Sequence, residues 1–134
     1  MADAKKILLI DDDEDFVEIN RTALEAKGFQ VIAAHNGDEG LEMAHGENPD
    51  AIVLDVMMDS PTEGFRVAQE LRASEAMARI PLIMLTSVNQ EGHPWRYEPD
   101  EQWLPVDVFL DKPVPAEKLL ATINESLAKA AQGD

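Results

Sequence analysis

Five consecutive acids, Asp11-Asp12-Asp13-Glu14-Asp15, follow the apolar run Ile7-Leu8-Leu9-Ile10, and a lone Asp55 ends a second apolar run, Ala51 to Leu54. A third run, Leu82 to Leu85, ends in Thr86-Ser87, and a fourth, Val106 to Leu110, leads into Lys112-Pro113. Carboxylates gathered in one place repel one another unless a cation intervenes. An all-oxygen set with few protein carboxylates suits Mg²⁺ better than a dedicated Ca²⁺ cage. With such an ion in place, a carboxylate can attack phosphorus and form an acyl phosphate, while a lysine and a hydroxyl neutralise charge on the phosphoryl oxygens. Asp55 is the expected nucleophile, Asp11 and Asp12 the expected metal ligands, and Thr86 and Lys112 the expected hydroxyl and ammonium. Part of the acidic run has a simpler use. Asp13 fits a helix N-cap, and Glu14 and Asp15 fit a first helical turn, where each negative charge contributes about 0.3–1 kcal/mol.

These groups meet only if the runs that carry them lie side by side. The runs Ile7 to Ile10, Ala51 to Leu54 and Leu82 to Leu85 are continuous rather than alternating, as in strands covered on both faces of a parallel sheet. Val31 to Ala34 and Val106 to Leu110 complete a set of five. Helical spacing separates them: Phe16, Ile19, Ala23 and Leu24, ending near Gly28; Leu41 to Ala44 after Asn36-Gly37; Phe65, Ala68 and Leu71; and finally Leu119, Leu120, Ile123 and Leu127. This alternation predicts an α/β fold, an open parallel sheet with helices on both faces. In such sheets ligands bind outside the carboxyl ends of the strands, where the candidate residues stand. One stretch breaks the rhythm. Between Ser87 and Pro105, Pro94 and Pro99 oppose a full helix, so the fourth helix is expected to be shortened or replaced by a loop. Trp95, Tyr97 and Trp103 in that loop are expected either to cover the sheet edge or to form a partner surface.

A length of 134 residues suits one domain. Eleven basic residues against 27 acidic ones give a formal charge of −16, which repels nucleic acid and anionic membranes. There is no cysteine, no apolar run long enough for a membrane span, and no signal-peptide core in the opening MADAKK, so a cytoplasmic protein is expected. His35, His45 and His93 show no metal-ligand spacing.

The segments ILLIDDD, AHNGDEGLEMA, PDAIVLDVMM, the Gly64-Phe65 expected to open the third helix, RIPLIMLTS and FLDKPV, in this order and spacing, resemble the receiver domain of two-component response regulators from about Lys5 to Ala128. The resemblance implies a flavodoxin-like five-stranded sheet of order 2-1-3-4-5. It also implies one receiver domain across residues 1–134, with its core at 5–128 and an atypical loop at 87–105. Asp55 would be the phosphoacceptor, with Mg²⁺ held by Asp11, Asp12, Asp55 and the backbone carbonyl of Met57. Thr86 would be the switch hydroxyl, Phe109 the aromatic switch, and Lys112 the contact to the phosphoryl group. The implied partners are a histidine kinase or phosphotransfer protein and a downstream protein target, in a signalling rather than an enzymatic role, acting as a stand-alone receiver. Two departures stand out. Gly64 falls nine residues after Asp55, one more than the family's usual spacing, with an extra acid at Asp59, and the stretch 87–105 replaces a helix used for output.

Other readings compete. A receiver-like interaction module that works without phosphorylation remains the alternative. A haloacid-dehalogenase-type phosphohydrolase expects Asp-x-Asp, where this chain has Asp55-Val56-Met57, and a flavin phosphate would meet five acids after the first strand.

Hydrolysis of an acyl phosphate needs a water in line with the phosphorus, which polar neighbours help to orient. The positions two after Asp55 and two after Thr86 are Met57 and Val88, both apolar. Slow self-dephosphorylation is therefore expected. Met57→Asn should shorten the phosphoryl lifetime, followed by intact mass over time; an unchanged lifetime contradicts this assignment of Met57.

Overall fold

The computed structural model describes residues 4–55, 61–75, 77–86, 108–111 and 114–131, with the backbone alone for 61–65, 86, 108, 109, 111 and 131. Within these, the chain runs β1 (Lys6–Ile10), α1 (Glu14–Ala26), β2 (Gln30–Ala34), α2 (Gly37–Glu47), β3 (Ala51–Asp55), α3 (Pro61–Ala73), β4 (Leu82–Thr86), β5 (Val108–Asp111) and α4 (Ala116–Ala131). All pairings are parallel, in the order β2-β1-β3-β4-β5, as the family resemblance implies.

The continuous apolar runs have a direct cause. Successive strand residues point to opposite faces, and both faces are covered. Leu8, Ile10, Ile52, Leu54, Leu82 and Met84 enter one core with Ala44 of α2 and Val67, Ala68 and Leu71 of α3. Ile7, Leu9, Ala51, Val53, Ile83 and Leu85 enter the other with Val17 and Leu24 of α1 and Leu119 and Ile123 of α4. No polar face is left on the central strands, so no alternation is needed.

Polar contacts at the amino end of the sheet set its register. The Lys6 N–H donates to Asp50 Oδ2 and the Asp50 N–H donates to Lys6 O, both at 2.7 Å. Lys6 Nζ reaches the Glu47 carbonyl at 3.0 Å and its carboxylate at 3.2 Å. These contacts tie the start of β1 to the entry of β3. Between α3 and β4, the Arg72 guanidinium gathers the carbonyls of Met77, Ala78 and Ile80 at 2.7–3.2 Å.

Three local expectations are corrected. On α1 the buried residues are Val17, Asn20 and Leu24, while Ile19 is 63% exposed. Leu24 is buried and Phe16 packs half-buried on the same core, as expected; the face centred on 17-20-24, one residue or about 100° from 16-19-23, meets β2 and α4 and leaves Ile19 outside. Asn20 is accommodated by donating from Nδ2 to the Phe16 carbonyl at 2.8 Å. α3 opens at Pro61 rather than at Gly64, because proline suits the first helical position, where its missing N–H has no intrahelical partner. β5 extends one residue past Leu110, to Asp111. The expectations for Met57, Asp59, Lys112 and the stretch 87–105, with its replaced helix, lie outside the described residues. Among the described residues, no helix is long and apolar enough to cross a membrane.

α2 lies close on β1 because Gly40 has no side chain. A Cβ at Gly40 would stand 2.6 Å from Ile10 Cδ1 and 3.0 Å from its Cγ1 and Cγ2. Overpacking of this kind costs about 1–3 kcal/mol, and the helix preference of alanine over glycine offsets about 1 kcal/mol. Gly40→Ala is therefore expected to lower stability by up to about 2 kcal/mol. Ile10→Val alone should cost about 0.5–1.5 kcal/mol, and less in the Gly40→Ala background, where it removes the clashing methyl. Urea unfolding of the four proteins checks this, and strictly additive effects contradict it.

Candidate functional site

The chain crosses from one side of β1 to the other between β2 and β3, so the strand order reverses between β1 and β3. A crevice at the carboxyl ends of such a pair is where open α/β sheets place their ligands. The register pairs Ile10 with Leu54; Asp11 and Asp55 follow at the same level, one on each side of this reversal. Both carboxylates are almost wholly removed from water, Asp11 at 1% exposure and Asp55 at 3%, while Asp12 opens to solvent. One carboxylate oxygen from each of Asp11, Asp12 and Asp55 can be chosen so that all three lie within 4.8 Å of one another. Two like unit charges about 4 Å apart repel by about 4 kcal/mol at an effective dielectric near 20. A cation placed among them would offset that repulsion. The donors of the cluster are all oxygen, closed toward the protein by two buried acids and open toward solvent at the third, which fits a hard ion that keeps part of its water shell.

Local chemistry positions these acids. The Asp13 N–H donates to Asp11 Oδ1 at 2.9 Å, and the Phe16 N–H donates to Asp13 Oδ1 at 3.1 Å. Asp13 is thus the N-cap of α1, with Glu14 and Asp15 in its first turn, as the acidic run suggested. From the other side, the Asp11 N–H donates to Ala34 O at 3.0 Å, where β2 ends. There Asn36 caps α2, its Oδ1 accepting the Glu39 N–H at 2.8 Å, and Glu39 Oε1 accepts the His35 N–H at 2.7 Å. The sequence reading does not foresee that these turn residues border the acidic cluster. The available signal is the Asn-x-x-Glu spacing of Asn36 and Glu39, a capping-box pattern.

Of the remaining candidates, Thr86 ends β4 one residue beyond Leu85, the register partner of Asp55, and itself pairs with Asp111. Phe109 pairs with Met84 in the backbone register. The described residues therefore bring Asp11, Asp12 and Asp55 together, and place the backbone of Thr86 at the same edge of the sheet.

Known proteins resemble this chain in sequence and in fold. Residues 7–124 match the family described as the response regulator receiver domain. Protein PilH of Pseudomonas aeruginosa is 33% identical over 126 residues, 92% of this chain and 98% of PilH. The alkaline phosphatase synthesis transcriptional regulatory protein PhoP of Bacillus subtilis is 42% identical over 87 residues, 65% of this chain but only 35% of PhoP. A solved CheY-like response regulator receiver domain protein from Methanospirillum hungatei JF-1 shares the fold, with a TM-score of 0.80 and 24% identity over 98% of this chain and 99% of that one. The match along the sequence and the likeness of fold agree, and the chain belongs to the response regulator receiver domains of two-component signalling.

Proposed function

We propose that the chain works as a single receiver domain that accepts a phosphoryl group on Asp55 and signals through protein contacts. The observation that carries the reading is the meeting of Asp11, Asp12 and Asp55 within 4.8 Å at the point where the strand order reverses. A histidine kinase or phosphotransfer protein would present a phosphohistidine at the open side of the crevice. A carboxylate oxygen of Asp55 attacks its phosphorus in line, the phosphorus–nitrogen bond breaks as the oxygen–phosphorus bond forms, and the departing imidazole keeps the electron pair. Asp11, Asp12, Asp55 and the Met57 carbonyl would hold Mg²⁺, which when bound neutralises the crowded carboxylates and the phosphoryl oxygens. Thr86, which ends β4, and Lys112, which follows β5 in the sequence, donate to those oxygens. A change in the Thr86 hydroxyl, coupled to Phe109, carries the signal to the output surface. With a formal charge of −16, that surface meets a protein rather than nucleic acid.

Incubation with acetyl phosphate and Mg²⁺, read by intact mass, tests the reading. The native chain is expected to gain one labile phosphoryl group, and Asp55→Asn or removal of Mg²⁺ with a chelator should abolish the gain. Equal uptake by Asp55→Asn would sink the assignment. Lys112→Ala should change phosphoryl uptake or the structural response to it. If both stay as in the native chain, the end of β5 has no part in the chemistry.

A further inference from the structure

Glu39 is the third residue of α2, and in a capping box its carboxylate would return to the backbone N–H of the N-cap residue, Asn36. Here it reaches one residue further. Glu39 Oε1 accepts the His35 N–H at 2.7 Å, while Asn36 Oδ1 accepts the Glu39 N–H at 2.8 Å. The His35 N–H shares its peptide unit with the Ala34 carbonyl, and that carbonyl accepts the Asp11 N–H at 3.0 Å. A single peptide plane therefore links the Glu39 carboxylate to the backbone of a buried acid in the cluster. An acceptor bound on the N–H side of a peptide polarises it and makes its carbonyl a better acceptor, so the two bonds strengthen each other. The Asp11 side chain is meanwhile held from its other side, by the Asp13 N–H at 2.9 Å. His35 Nδ1 stands 3.4 Å from the same Glu39 oxygen, too far to compete strongly for it.

We infer that Glu39 is a positioning residue for the Mg²⁺ site, acting on Asp11 through the peptide between residues 34 and 35. The inference rests on the phosphoacceptor reading above. A group that only capped α2 would stabilise the helix and leave Asp11 where it is. Partners hydrogen-bonded to a metal ligand typically change metal affinity by 10- to 100-fold when lost, and Glu39, one peptide further out, is expected at the low end of that range.

Three variants separate these cases. Glu39→Ala removes the acceptor, Glu39→Asp keeps the charge but shortens the reach, and Glu39→Gln keeps the reach and an acceptor oxygen without the charge. Without metal, hydrogen exchange of the Asp11 amide measured by NMR should speed up relative to the Leu9 amide in the Ala and Asp variants, and stay near native in Gln. By calorimetry, the Mg²⁺ dissociation constant should rise about tenfold in Ala and Asp, and stay near native in Gln. Phosphorylation by acetyl phosphate should need more Mg²⁺ in Ala and Asp, yet reach the native extent at saturation. A native Mg²⁺ affinity in Glu39→Ala and Glu39→Asp, with only the melting temperature lowered, overturns the inference and leaves the phosphoacceptor reading standing. Failure of Glu39→Gln to restore both readouts overturns it as well. A native chain that binds no Mg²⁺ overturns that reading and this inference together.

Discussion

The pairing of β1 with β3 is the constraint on which the rest of the molecule depends. Ile7, Leu8, Leu9 and Ile10 lie opposite Ala51, Ile52, Val53 and Leu54, and this register alone sets Asp11 and Asp55 at one level. A slip of one residue would turn every side chain of a strand to the opposite face. It would carry one carboxylate toward the core built by α2 and α3 and part the pair. Contacts at both ends hold β1 in place: Lys6 with Asp50 beside the entry of β3, and Asp11 with Ala34 of β2 where β1 ends. Burial of the strands in two cores supplies the driving force, and it holds two carboxylates out of water that would otherwise stay solvated.

The excess of acid is distributed by use. Asp13, Glu14 and Asp15 occupy the start of α1, and Asp38 and Glu39 the start of α2, where negative charge meets the positive end of a helix dipole. Both helices follow strands directly, so these ends lie at the same edge of the sheet as the acidic cluster. Cations are used sparingly: Arg66 on α3 joins Asp38 on α2 at 3.1 Å and also pairs with Glu70. That bridge is exposed and contributes at most about 1 kcal/mol, so the apolar contact of α2 and α3 through their shared core carries the packing.

The acidic cluster thus depends on two kinds of neighbour. Asp13 supports Asp11 within its own turn, over two residues of sequence. Ala34, His35 and Glu39 support it from another strand and helix, and only because β2 lies beside β1 do they come near it at all. Closing the second route costs chain entropy that the sheet has already met by forming. A few hydrogen bonds can then order an acid that apolar packing alone would leave free to turn.

Where information is local, the residues alone specify a great deal. Continuous apolar runs marked the strands because both sheet faces are buried. Strand-end positions identified Asp11, Asp12 and Asp55 as neighbours because a parallel sheet brings every carboxyl end to one edge. The Asp13 cap could be read for the same reason, since its partner lies three residues away. Other features needed the folded chain. Val17 and Asn20 rather than Ile19 face inward on α1 because β2 and α4 choose between two stripes that the sequence leaves nearly equal. Glu39 reaches past its own cap to the peptide that holds Asp11, since that peptide is positioned by strand pairing and not by the turn. Covalent neighbours settle what a short segment prefers, and contacts between distant residues settle which of two similar preferences is realised.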